Sequence, residues 1–179
     1  MIAALFGVVW TEWGASGLPG AASGPVRVAG LVVGLVMFLW SAGQWRAARR
    51  AHEAVPTGSR REGSASIFSS RDFWVVAAAE VVAIRGGTWL IVAAGHPDYV
   101  IVWVATVVGA HFLAFGRLFW AGFYWLGTAL IAAGMAGAIV GWAGGGSDGI
   151  KATAGLMAAA SLFAACGSSV VTARARIHV

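Results

Sequence analysis

The sequence predicts an all-α fold: a single domain over residues 1–179, built as a bundle of six transmembrane helices with both termini cytoplasmic. Three observations predict it. First, 59% of the 179 residues are hydrophobic and 11% are charged, with a mean hydropathy of +0.80; a soluble domain carries about a quarter charged residues. Second, the apolar residues fall in continuous runs near 20 residues, the length that crosses bilayer hydrocarbon as a helix, without the alternation of a barrel strand. Third, the basic residues gather between these runs, as topology signals do.

The runs are taken in order. Met1–Trp13 is apolar but short, reaching about 20 Å at 1.5 Å per residue. Extended towards Pro19, it gives a first span over 1–18. No basic n-region precedes it, which argues against a signal peptide. Gly14–Pro25 is rich in Gly, Ser and Pro and reads as a connector. The second span follows Pro25 over 26–46, with Gly30 and Gly34 spaced for close helix approach. A polar basic loop then covers 46–72, carrying Arg46, Arg49, Arg50, Arg60, Arg61 and Arg71. It reads as a solvated cytoplasmic segment; docking of anionic headgroups or an acidic protein is the alternative. Spans three and four cover 73–94 and 99–119, joined by a tight turn at Gly95–Asp98. The fifth and sixth cover 123–142 and 150–171, separated by the Gly-rich stretch 144–149.

Placing the basic loop inside fixes the topology. Arg46, Arg49, Arg50, Arg60, Arg61, Arg71, Arg117, Arg174 and Arg176 then lie on the cytoplasmic side, and only Arg27 and Lys151 outside. Both termini fall on the cytoplasmic side, which requires an even number of spans. Most tryptophans then sit near an interface, with Trp10, Trp13, Trp89, Trp103 and Trp142 outward and Trp40, Trp45, Trp74 and Trp120 inward.

Glu80, Arg85, His111 and Arg117 stand inside the third and fourth runs. An ionisable group in hydrocarbon is costly unless paired, hydrated or facing protein. Counting from the turn, Glu80 lies near the depth of Ala114, about one helical turn from both His111 and Arg117. Arg85 is five residues from Glu80 and about 140° away around the helix, so the two do not simply cap each other. These positions admit three readings. Glu80, His111 and Arg117 form a polar clasp that fixes helix register; or the residues form an intramembrane centre where Glu80 or His111 exchanges a proton and Arg85 handles an anion or polar substrate; or, for Arg117, the side chain snorkels to the headgroups.

Other chemistry finds no support. His52, His96, His111 and His178 are scattered, so no metal or haem site emerges, and no cofactor is expected. No phosphate loop, G-x-S-x-G elbow or H-E-x-x-H motif is present. The lone Cys166 and Ser161 sit in the sixth run, where helix packing explains them. The charge of +5 is spent on topology, so nucleic acid is not an expected partner.

Within Val107–Phe119, a Gly-x-His-Phe step is followed by a small residue, Arg and Phe, and then by a helix with Tyr and Gly. Gly109, His111, Phe112, Gly116, Arg117, Phe119, Tyr124 and Gly127 carry this pattern. It resembles small bacterial multi-pass membrane proteins of unassigned function, and the resemblance adds weight to His111 and Arg117 without implying an activity. Abundant Ala, Gly, Val and Trp fit a high-GC bacterial source, which gives the cytoplasmic membrane as the expected location. Small size and Gly-rich faces suggest a homo-oligomer within the lipid bilayer. The leading functional expectation is transport or conduction of a small solute or proton through the polar centre. The alternatives are a membrane-embedded enzyme, of cyclase or isomerase type, acting on a lipophilic ligand, and an accessory or scaffold subunit of a membrane complex.

Overall fold

The structure, a computed structural model, describes residues 2–53 and 70–175. The loop arginines Arg60 and Arg61 and the tail residues Arg176 and His178 lie outside the described residues. The architecture is all helical: α1 (Ile2–Ala15), α2 (Gly20–Glu53), α3 (Arg71–Ala93), a 3₁₀ turn (Pro97–Tyr99), α4 (Val100–Leu118), α5 (Gly122–Trp142) and α6 (Gly146–Ala175). Five of these helices are long and apolar enough to cross a membrane, and α1 is an apolar helix of 14 residues. Such a chain must satisfy its backbone internally, which helices do.

Several boundaries differ from those expected. Helix α2 begins at Gly20 and carries Pro25 inside it. The start is set one residue earlier by Pro19, whose carbonyl accepts from Ala22 and Ser23 N–H. Pro25 forfeits one bond, to the carbonyl of Ala21, close to the helix start, where the loss is small. Helix α2 also continues past Arg46 to Glu53, about 51 Å in all, so the expected loop begins as helix. Helix α6 is likewise longer than its apolar run, from Gly146 to Ala175.

The ends of α3 and α5 share one device. At the end of α3, Gly95 takes φ +81°, its N–H bonds Val92 O at 3.0 Å, and His96 N–H bonds Ile91 O at 3.1 Å. At the end of α5, Gly144 takes φ +86°, with Gly144 N–H on Gly141 O and Gly145 N–H on Val140 O. Both are Schellman caps, which need a residue that tolerates positive φ and close the orphan carbonyls of the last turn. The first cap turns α3 directly into α4, and the register of that antiparallel pair follows from it.

Neighbours run in the order α2, α1, α6, α5, α4, α3, with α6 also touching α4 and α2. The core lies among α1, α4, α5 and α6. It is built from Trp10, Ile101, Ala105, Leu126, Leu130, Ala133, Ile150, Ala154, Ala158, Ala159 and Leu162. Five of these eleven are Ala, which suits helices that gain by close van der Waals approach rather than by expelling water. A Cβ on Gly109 would stand 2.7 Å from Gly127 O, and one on Gly127 2.7 Å from Gly109 O, so the α4 and α5 backbones meet at this pair. The α1–α6 contact at Gly14 and Gly155 is as close. Exposed tryptophans include Trp45, Trp74, Trp89, Trp120 and Trp142, as an interfacial belt requires. Trp10 departs from that expectation: it is 3% exposed and stacks on Trp13 in the core.

Helix α3 stands apart from this core. None of its residues is buried, and its packing partners are α4 and the 3₁₀ turn.

Candidate functional site

The partly covered residues of α3 include Phe73, Val76, Ala77, Glu80, Ala83, Ile84, Gly87, Thr88 and Ile91. Phe73, Glu80 and Gly87 are seven apart, so they lie along one stripe of the helix, the pattern of a seam between two long helices. Each meets a defined partner on α4.

At one end of the seam, Gly87 leaves room for the Trp103 indole, which would overlap any side chain placed there. The indole Nε1–H reaches across to donate to Ala83 O at 3.1 Å. At the other end, the Phe73 ring stacks on Phe115 with centroids 5.3 Å apart. Phe112, Phe119, Phe123 and Trp120 extend this aromatic cluster into the α4–α5 turn. Between the two plugs sits the one acid–base contact of the seam. His111 Nδ1 lies 2.8 Å from Glu80 Oε2, with side chains 15% and 17% exposed. Glu80 is nine residues from the start of α3 and thirteen from its end, about 14 and 20 Å along the axis. The pair therefore sits at mid-helix.

The His111 ring is held by aromatics. Phe115 meets it edge-on at 4.1 Å between centroids, and Phe112 lies parallel to it at 5.0 Å. Both ring nitrogens are shielded, and neither has an aligned hydrogen bond among the described residues. The 2.8 Å separation of Nδ1 and Oε2 is therefore a close heavy-atom contact rather than an aligned hydrogen bond. Nε2, on the far side of the ring, is left without a protein partner. A carboxylate and an imidazole in contact, the imidazole packed against aromatic rings, can pass a proton between them.

Arg117 and Arg85 do not join this pair. Arg117 is exposed in the last turn of α4, six residues and about 120° round the helix from His111. That position suits a side chain reaching towards headgroups. Arg85 is also exposed, on the flank of α3 away from Glu80, and forms no ion pair among the described residues. It lines a groove of about 590 Å³ with Trp13, Ile84, Thr88, Trp89, Val92, Val100 and Val104. The four residues expected together thus divide into a pair and two separate cations. Sequence reasoning missed the partners Trp103, Gly87, Phe73 and Phe115, although the seven-residue spacing of Phe73, Glu80 and Gly87 was a signal for the seam. The remaining ion pair among the described residues, Arg27 Nε with Glu12 Oε2 at 3.5 Å, joins α2 to α1 in an exposed position and contributes little.

No group of three or more metal-ligating side chains occurs among the described residues. Comparison of the chain with protein-family models, with curated proteins and with solved structures finds no match.

Proposed function

We propose that this chain is a six-span membrane protein with cytoplasmic termini that carries a proton, or a small polar solute coupled to one, across the bilayer. Glu80 and His111 are its acid–base centre. One observation carries the reading: a carboxylate and an imidazole 2.8 Å apart at the middle of two adjacent apolar helices. Polar groups placed there are expensive and tend to mark proton or substrate paths. In the proposed step, the Glu80 carboxylate accepts the proton held on the imidazolium of His111, leaving a neutral pair. The unpartnered Nε2 is the atom through which the ring is recharged. Trp103 and the Phe73–Phe115 cluster bar the two ends of the seam, so passage requires α3 to shift against α4. Its lack of buried residues makes α3 the helix with least to lose by moving.

The six-span count rests on α1 being a span although it is only 14 residues long. Its buried residues Gly7 and Gly14 pack antiparallel along α6, from Phe163 opposite Gly7 to Gly155 opposite Gly14, while Thr11 meets Gly30 of α2. Basic residues of α2 and α3, Arg46, Arg49, Arg50 and Arg71, then share one side of the membrane.

Purified protein reconstituted into liposomes containing a pH-sensitive dye tests the proposal. Inward proton flux driven by a potassium diffusion potential is expected for the wild type, absent in Glu80→Gln and retained in Glu12→Gln. Equal flux in wild type and Glu80→Gln overturns it. A second reading, an accessory subunit, draws on the length of α2, which carries Arg46, Arg49 and Arg50 in its last turns and continues to Glu53. It is favoured if flux is absent and a membrane protein co-purifies only while Arg46, Arg49 and Arg50 are intact.

A further inference from the structure

We infer that the groove beside Arg85 is a binding site for an anionic phospholipid of the leaflet in which α3 ends. This site is separate from the Glu80–His111 pair, and the inference does not depend on transport. The groove takes one wall from each of three helices: Trp13 of α1, Arg85, Thr88, Trp89 and Val92 of α3, and Val100 and Val104 of α4. The lining is almost wholly apolar, its polar groups being the Arg85 guanidinium, the Thr88 hydroxyl and the indole N–H groups of Trp13 and Trp89. Arg85 has no carboxylate partner among the described residues, so its charge needs an anion from elsewhere.

Position and shape select the occupant. Val92 and Val100 stand at the end of α3 and the start of α4, so the groove runs from Arg85 towards that end of the bundle. Trp89 lies one helical turn from Arg85 on the same side and is 70% exposed, the setting of a ring at headgroup level. A side chain as long as Arg85, one turn inward, can extend its guanidinium to a phosphate at that level. The planar fork of Arg matches two phosphodiester oxygens, with the Thr88 hydroxyl in the same groove as a further donor. Val92, Val100 and Val104 offer the acyl chain an apolar wall. A zwitterionic lipid brings its own cation to the same phosphate and gains less from Arg85.

Native mass spectrometry of the full chain in detergent micelles, titrated separately with phosphatidylglycerol, phosphatidylcholine and oleate, tests the site. One saturable phosphatidylglycerol per chain is expected, about tenfold tighter than phosphatidylcholine, the size of one charge-assisted hydrogen-bonded contact. Arg85→Gln is expected to abolish that preference, and Arg117→Gln to leave it intact. Should Arg85→Gln not fold, Val100→Phe keeps the guanidinium but narrows the groove, and is expected to weaken phosphatidylglycerol binding by a similar factor. Undiminished preference in Arg85→Gln, or in a folded Val100→Phe, overturns the inference. So does tighter binding of oleate than of phosphatidylglycerol, which would make the ligand a single-chain acid.

Discussion

Gly86 and Gly87 are chemically identical neighbours on α3, yet the same substitution at each should have opposite effects. A Cβ on Gly86 meets nothing within 4 Å, whereas one on Gly87 would overlap the Trp103 indole at Cε2 and Nε1. Ala is a better helix former than Gly by up to roughly 1 kcal/mol, and Gly86→Ala collects that gain unopposed. Gly87→Ala collects it too but must displace the ring. Overpacking of this kind costs about 1–3 kcal/mol. Displacing the ring also endangers the Trp103 Nε1–Ala83 O bond, worth about 1 kcal/mol. The net expectation is a loss of roughly 1–3 kcal/mol for Gly87→Ala and a difference of about 2–4 kcal/mol between the variants. Unfolding in mixed micelles by increasing dodecyl sulfate, followed by tryptophan fluorescence, measures both. Equal midpoints for Gly86→Ala and Gly87→Ala would refute the seam geometry, because only contact with α4 distinguishes the two positions.

Further outcomes follow from the same geometry. A double-mutant cycle on Glu80→Gln and His111→Gln in that unfolding assay should give a coupling near 1 kcal/mol, since interhelical polar contacts in membranes average about 0.6 and reach about 1.7; additive effects would mean the two side chains do not meet. Gly155→Ala drives a Cβ into the backbone of Gly14, where no rotamer change can relieve it, and should lower stability more than Gly87→Ala does. In a Cys166→Ala background, Ser147→Cys should react with an impermeant maleimide from outside intact cells and Ser70→Cys only after permeabilisation. The reverse pattern would invert the topology.

Much of this arrangement was legible in the chain. Five helices announced themselves through runs of about 20 apolar residues, and the Gly95–Asp98 turn fixed which two were antiparallel. The pairing of Glu80 with His111 followed from counting residues back from that turn. Counting depth alone left Arg117 as an equal candidate, and it took angle to separate them: six residues carry Arg117 about 120° off the seam. The helix in α2 was harder to place because Pro25 resembles a break, while its cost near a helix start is only one bond. Trp10 reads as an interface residue and is buried instead, because hydropathy reports what a side chain tolerates, not which face of α1 meets α6. The groove at Arg85 was beyond reach, since its third wall, Trp13, comes from a helix about 70 residues away in sequence, and only packing brings it there.

In the proposed function Glu80 and His111 work as a pair, each needing the other in the place where it stands. The most direct measurement exchanges them, comparing proton flux in liposomes for wild type, Glu80→His, His111→Glu and the double variant Glu80→His/His111→Glu. Each single exchange sets two like groups side by side and should abolish flux, and the double exchange should recover a substantial part of it. Flux that survives either single exchange, or that the double exchange fails to restore in a folded protein, would contradict the account.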